Sequence, residues 1–279
     1  MLLSALYKII SINMKYLISI ATLLILPISS SAQDFIRSLP KVGGFSLTPE
    51  FGVDKDNSKF SNTYRESFTG AGTLFGQSLN ATVTFNVASQ DFNDVFDKAL
   101  NYGASLNYGL SDSTEIFGRF KYTRADAKLF DAMNVNANVT FGGVTVSGSD
   151  SIKGKMDDYS SYGFEVGSRF FLDTKSAFKP YISPSVGITR VDDLNVQLSY
   201  NGSNIGSALK FYDSTWVYNL GIGAGFRYDI SQNIAAGLET GYRYQSSLDE
   251  NNADLGSSGI NNRSKRNYIP LSAGINISF

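Results

Sequence analysis

From Tyr268 to the final Phe279, apolar and polar positions alternate without a break. Ile269, Leu271, Ala273, Ile275, Ile277 and Phe279 fall on one side, and Pro270, Ser272, Gly274, Asn276 and Ser278 on the other. A period of two marks a strand with one greasy and one polar or small face. The same pattern recurs upstream. Residues 45–53 carry it on odd positions, from Phe45 to Val53. In 100–108, Leu100, Tyr102, Ala104, Leu106 and Tyr108 oppose Asn101, Gly103, Ser105 and Asn107. In 115–127, Ile116, Gly118, Phe120 and Tyr122 oppose Glu115, Phe117, Arg119, Lys121 and Thr123. In 159–172, Tyr162, Phe164, Val166 and Phe170 oppose Gly163, Glu165, Gly167 and Arg169. In 179–191, Ile182, Val186 and Ile188 oppose Ser183, Ser185, Gly187 and Thr189. Pro180 and Pro184 each remove a ladder donor there, so bulges near the rim are expected. The stretch 216–230 sets Trp216, Tyr218, Leu220, Ile222, Phe226 and Tyr228 against Gly221, Gly223, Gly225, Arg227 and Asp229. The stretch 234–245 sets Ile234, Leu238, Tyr242 and Tyr244 against Gly237, Glu239, Gly241 and Arg243. With the terminal strand the count is eight. The alternating piece 81–87 could replace the first strand, or a further pair within 55–97 could raise the count to ten.

The connections alternate in length. About 55–97, 128–158, 200–211 and 248–265 are long and polar, with a hairpin possible around Gly142-Gly143, and about 110–114, 173–178 and 231–233 are short. Transmembrane β-barrels have this asymmetry, with long loops outside, tight periplasmic turns and an even strand count. The fold expected is an all-β, closed, antiparallel up-and-down transmembrane β-barrel with both termini periplasmic. A strand that runs to the last residue suits closure, since the last strand must pair with the first. A soluble sandwich or lipocalin-like barrel would turn the greasy face inward. The polar face argues against that. It is rich in Gly and carries Glu50, Glu115, Arg119, Lys121, Glu165, Arg169, Arg227, Asp229, Glu239 and Arg243. A narrow lumen filled by small residues and paired charges accommodates such a face, and Gly weakens an exposed strand. Aromatics toward the strand ends, among them Tyr108, Phe170, Tyr228 and Phe279 at one end and Tyr122, Tyr162, Trp216, Tyr244 and Tyr268 at the other, read as interfacial girdles.

Composition narrows the chemistry. The 279 residues include no Cys and no His. Disulfides, thiolate or imidazole metal sites, and Ser–His or Cys–His mechanisms are therefore unavailable. At the N-terminus, Lys8 and Lys15 precede an apolar core from Leu17 to Ile28 and the small residues Ser30-Ser31-Ala32. This is a secretory signal, expected to span 1–32 and to leave a barrel domain at 33–279. Met14-Lys15 offers an alternative start to Met1. Loss of Lys8 and Lys15 with the signal leaves 22 basic residues against the 25 acidic ones. That mild acidity does not suggest nucleic acid.

Tyr102-Gly103-Ala104-Ser105-Leu106-Asn107-Tyr108-Gly109, Gly221-Ile222-Gly223-Ala224-Gly225-Phe226-Arg227-Tyr228 and the aromatic C-terminus give the chain its resemblance. It is similar to the small outer-membrane β-barrel proteins of the OmpA/OmpX type over nearly the whole mature sequence. These motifs encode architecture rather than chemistry. The resemblance implies a Gram-negative outer-membrane location in contact with lipid and lipopolysaccharide. It also implies a C-terminal strand read by the barrel-assembly machinery, through Ile275, Ile277 and Phe279. The full-length OmpA type carries a soluble peptidoglycan-binding domain after the barrel, whereas this sequence ends on its barrel strand.

The best chemical cluster is the inward charge set Glu115, Arg119, Lys121, Glu165, Arg169, Arg227, Glu239 and Arg243. It is either a structural network that plugs the lumen or a selectivity constriction in a narrow pore, since unpaired buried ions are costly. Asp54-Lys55-Asp56-Asn57-Ser58 hints at a calcium loop but lacks Gly at the sixth position and Glu at the twelfth, where Arg65 stands. It reads as a solvated loop. Arg263, Lys265 and Arg266 read as a solvated loop end or a contact for lipopolysaccharide phosphates. No cofactor or metal is expected, and the chain is expected to be monomeric. The function expected is non-enzymatic, in envelope integrity or surface interaction through long surface loops. A narrow pore for small solutes, a loop-borne adhesin or surface antigen, and a His-free carboxylate hydrolase are the alternatives.

Overall fold

The structure is a computed structural model that describes residues 42–56, 58–172, 176–250, 260–261 and 264–279. The expected signal segment 1–32, part of the turn at 173–178 and much of the 248–265 connection, Arg263 included, lie outside the described residues.

The alternating stretches form strands at the expected places. They are β1 (Phe45–Asp56), β4 (Ala99–Ser111), β5 (Thr114–Ala125), β8 (Tyr159–Phe171), β9 (Phe178–Val191), β12 (Thr215–Asp229), β13 (Ile234–Gln245) and β15 (Arg266–Ser278). Each pairs antiparallel with its chain neighbours, and β15 returns to β1, so eight strands close a barrel. Residues 45–53 therefore do supply the first strand, and the barrel count is eight rather than ten. The greasy face points out of the barrel: Trp216 is 62% exposed and Ile222 59%, while Asn219 beside them is 3% exposed.

Three of the long polar connections, about 55–97, 128–158 and 200–211, are not loops. Four-residue helix α1 (Phe92–Val95) aside, they fold into hairpins β2 (Tyr64–Leu74) with β3 (Gln77–Val87), β6 (Leu129–Phe141) with β7 (Val144–Met156), and β10 (Leu194–Tyr200) with β11 (Ser203–Asp213). With the short β14 (Asp249–Glu250) they make a second, open sheet of seven strands in the order β14-β11-β10-β7-β6-β3-β2. The stretch 81–87 belongs to this sheet, in β3. Each hairpin turns through two residues with positive φ: Phe75-Gly76, Gly142-Gly143 and Asn201-Gly202. That is the primed turn whose twist matches antiparallel strands. We call this second sheet the crown.

Crown and barrel meet in a packed cluster. Phe60, Phe92, Val95, Phe96, Tyr159, Leu194, Tyr212 and Val217 are all buried in it. Phe60 sits edge-on to Phe96 and Tyr212, with ring centroids 5.3 Å apart in each case. Tyr212 satisfies its hydroxyl by donating to the Phe60 carbonyl at 2.6 Å. α1 thus brings Phe92 and Phe96 over the end of the barrel, where an apolar layer excludes water.

Two local expectations fail. Pro180 and Pro184 do not sit in bulges. β9 keeps one register against β12 from Phe178↔Tyr228 to Thr215↔Val191. Against β8 the ladder simply skips Ser183 and Pro184, resuming at Phe170↔Ile182 without a shift. Tyr268 is not a girdle residue: it is 3% exposed and belongs to the lumen. Its even position puts it on the polar face of β15, which outweighs its aromatic character.

Candidate functional site

The lumen is organised by a repeated spacing. Glu115 and Arg119 in β5, Glu165 and Arg169 in β8, and Glu239 and Arg243 in β13 are each a Glu followed four residues later by an Arg. Side chains an even number apart share a strand face. Because β5 and β8 run antiparallel, Glu115 falls opposite Arg169 and Arg119 opposite Glu165. Equal spacing on antiparallel strands thus yields crossed pairs of opposite charge.

The side chains close those pairs into a network. Arg119 reaches Glu50 at 2.9 Å, Glu239 at 3.2 Å and Glu165 at 3.5 Å. Arg169 pairs with Glu115 at 2.7 Å and lies 3.6 Å from Glu50 and 3.7 Å from Glu239. Both terminal nitrogens of Arg227 donate to Glu115 at 2.9 Å. Arg243 donates to Glu239 at 3.2 Å. Four guanidiniums thus balance four carboxylates, in a place where an uncompensated ion is costly. Phe117, on the polar face of β5, lies under two of them, with its ring centroid 4.9 Å from Arg119 and 4.5 Å from Arg169. Lys121 donates to the Tyr268 hydroxyl at 3.1 Å, with its ammonium 5.0 Å from that ring's centroid.

Further tiers lie toward the two ends. Near the short turns, Lys179 meets Asp229 at 2.9 Å. Toward the crown, Arg266 pairs with Asp56 and, at 3.2 Å, with Asp54. The Arg266 guanidinium also sits against the Tyr268, Phe92 and Tyr159 rings, at 4.4, 4.5 and 5.1 Å. Asp54 and Asp56 are therefore not a solvated loop or a calcium loop, and Arg266 is not a solvated loop end. All three continue the inward face of strands that run further than the sequence suggested. Lys265 is exposed, as a loop residue would be.

Sequence reasoning did not single out Lys179 or Tyr181, and it did not place Asp54, Asp56 and Arg266 in the lumen. Parity could have found them. Lys179 and Tyr181 share the odd face of β9 with Ser183 and Ser185, and Asp54 and Asp56 continue the even face of β1 with Glu50.

Small residues make room for this filling. A β-carbon on Gly221 would lie 2.5 Å from the Arg243 side chain. One on Gly167 would lie 2.5 Å from the Pro184 carbonyl and 2.6 Å from the Phe117 ring. The void left among Glu50, Arg119, Arg169, Arg227 and Glu239 is only about 30 Å³. That is room for no more than a few waters. Among the described residues, no group of three or more Asp or Glu is arranged to hold a metal ion.

At the seam, Ile275 and Ile277 lie on the outer face of β15, and Phe279 is 78% exposed at its end. Ile277 sits between Leu47 of β1 and Ile234 of β13. The Phe279 amide donates to the Phe45 carbonyl at 3.2 Å.

No curated protein sequence matches the chain. Among solved structures, Neisserial surface protein A is 17% identical, with a TM-score of 0.40 over 84% of this chain and 97% of that one. The outer membrane protein OprG from Pseudomonas aeruginosa is 13% identical, with a TM-score of 0.40 over 88% and 99%. Ail, the attachment invasion locus protein of Yersinia pestis, solved with the heparin analogue sucrose octasulfate, is 13% identical, with a TM-score of 0.38 over 86% and 100%. The model of the Opacity family porin proteins matches residues 119–263, from the middle of β5 almost to β15. That span is just over half of the sequence, and the chain belongs to the Opacity family of porin proteins, as an outer-membrane β-barrel.

Proposed function

We propose that this protein is a non-enzymatic platform, a closed barrel that holds the crown at the cell surface for surface interaction or envelope integrity. The observation that carries the reading is the filled lumen. Interlocked Arg and Glu side chains leave about 30 Å³ of space, and the aromatic cluster around Phe60, Phe92 and Phe96 covers one end. Every lumen carboxylate of the network is engaged by a guanidinium, so none of these four stands ready as a general acid or base. A narrow pore is the second reading, favoured by the porin designation of the family.

Conductance separates the two. Purified protein in planar lipid bilayers should give no reproducible steps. Discrete steps whose size changes in Arg119→Ala or Glu165→Gln would overturn the closed-barrel reading.

The platform reading also fixes which end faces outward. The hairpins β2–β3, β6–β7 and β10–β11 lie outside the cell, and the short turns and the C-terminus in the periplasm. Lys153 and Lys155 of β7 and Lys210 of β11 are then within reach of trypsin. Trypsin added to intact cells should clip the crown and leave a protected barrel. Cleavage only after the cells are opened would invert the orientation.

A further inference from the structure

The crown has two unlike faces. On one, Thr82, Asn138 and Ser147 stand in register across β3, β6 and β7, as do Thr84, Asn136 and Ser149. On the other, Ala81, Val139 and Val146 stand in register, and so do Leu79, Phe141 and Val144. Toward the hairpin tips this apolar face is exposed, with Val144 and Val146 about two-thirds open, whereas at the base of the sheet it surrounds a cavity of about 360 Å³. Phe68, Phe85, Phe130, Met156, Leu198 and Phe211 supply walls and floor, from six different strands. Small-molecule pockets typically measure about 300–1,000 Å³ and are lined mostly by apolar and aromatic groups with a few polar ones. This cavity meets both conditions, and the barrel lumen meets neither.

We infer that the crown cavity binds a small amphiphile with one apolar chain and a neutral or cationic head. The chain follows from the lining. The head follows from Glu66, the one charged side chain among the lining residues. Its Oε2 accepts a bond from the Tyr64 hydroxyl at 2.6 Å. That bond raises the pKa of the phenol above its ordinary value. A carboxylate at the wall attracts an ammonium head, tolerates a hydroxyl and repels an anionic one. The site lies outside the lumen and stands whether or not the lumen conducts.

Two native reporters test it. The sequence has four Met, and the two that follow the signal segment, Met133 and Met156, both line the cavity. The protein, labelled with ¹³C at the methionine methyls and placed in lipid nanodiscs, would be titrated with dodecylamine, dodecanol and dodecanoate. Both methyl signals should shift saturably with the amine and the alcohol. Dodecanoate should bind about fivefold more weakly than the amine, the scale of one solvent-screened ion pair of ~1 kcal/mol. Glu66→Gln should remove that preference. Leu198→Trp, which fills the cavity, should abolish the shifts while the unheated protein keeps its compact gel mobility. If that variant does not fold, Leu209→Trp serves in its place. Absence of saturable shifts, or shifts that persist in the filled variant, would overturn the site. Equal binding of amine and carboxylate would overturn the role of Glu66.

Discussion

Arg119→Ala should lower the stability of the barrel by about 3–5 kcal/mol, the usual cost of removing one partner from a buried ion pair. Its side chain is 7% exposed, and its guanidinium lies within 3.5 Å of Glu50, Glu165 and Glu239. Truncation leaves four carboxylates facing three guanidiniums, and a void beside Phe117. Arg169 lies 3.6 Å from Glu50, too far to replace a contact of 2.9 Å without moving. Arg119→Lys should recover only part of the loss, because an ammonium restores the charge but not the planar fork that serves several carboxylates at once. Urea unfolding in lipid vesicles, followed by the heat-dependent gel shift, measures both. A midpoint for Arg119→Ala equal to that of the parent would show that the lumen charges do not hold the barrel together.

The second large effect lies on the outer face. Ile275→Lys should prevent accumulation of folded protein in the outer membrane. Ile275 lies four residue steps before Phe279. At about 3.3 Å per residue and about 40° of tilt, that is roughly 10 Å along the barrel axis. The apolar band is about 25 Å tall, so Ile275 lies near its middle, where a lysine costs about 2–4 kcal/mol. Deleting Phe279 should also impair assembly, by a different route. It removes an amide bonded to Phe45 at the seam and the terminal aromatic that the assembly machinery is proposed to engage. Membrane fractionation with heat-modifiability reads both variants. Normal insertion of the two together would count against the orientation of β15 and against the proposed assembly role of Ile275, Ile277 and Phe279.

The barrel was legible because its pattern is enforced. A strand between lipid and a packed lumen alternates along most of its length, and the eight barrel strands do so, with inward aromatics such as Phe117 and Tyr268 as exceptions. The crown was harder to see. Its apolar face has Gly148 and Asp150 where a membrane strand would carry bulk, and its other face is Asn, Ser and Thr, the residues of loops. Yet Val135, Ala137, Val139 and Phe141 alternate ahead of Gly142-Gly143, and Asn201-Gly202 is a strong hairpin dipeptide. The lumen charges were visible by parity, but their partners were not. Strand spacing gives the face, whereas only register gives who stands opposite. Asp54, Asp56 and Arg266 were lost for a simpler reason: the strands run past the point where greasy residues stop marking them.

The equal Glu–Arg spacing of β5 and β8 also bears on how the chain finds its circumference. Alternation alone cannot detect a slide of two residues between neighbouring strands, because every side chain keeps its face. The ions can. A slide of β8 by two positions would set Glu115 against Gly167 or Phe171, and Arg119 against Gly163 or Gly167, stranding both charges in a dry interior. Since accumulated stagger determines the girth of a closed sheet, these pairs act as a vernier that accepts one girth and rejects its neighbours.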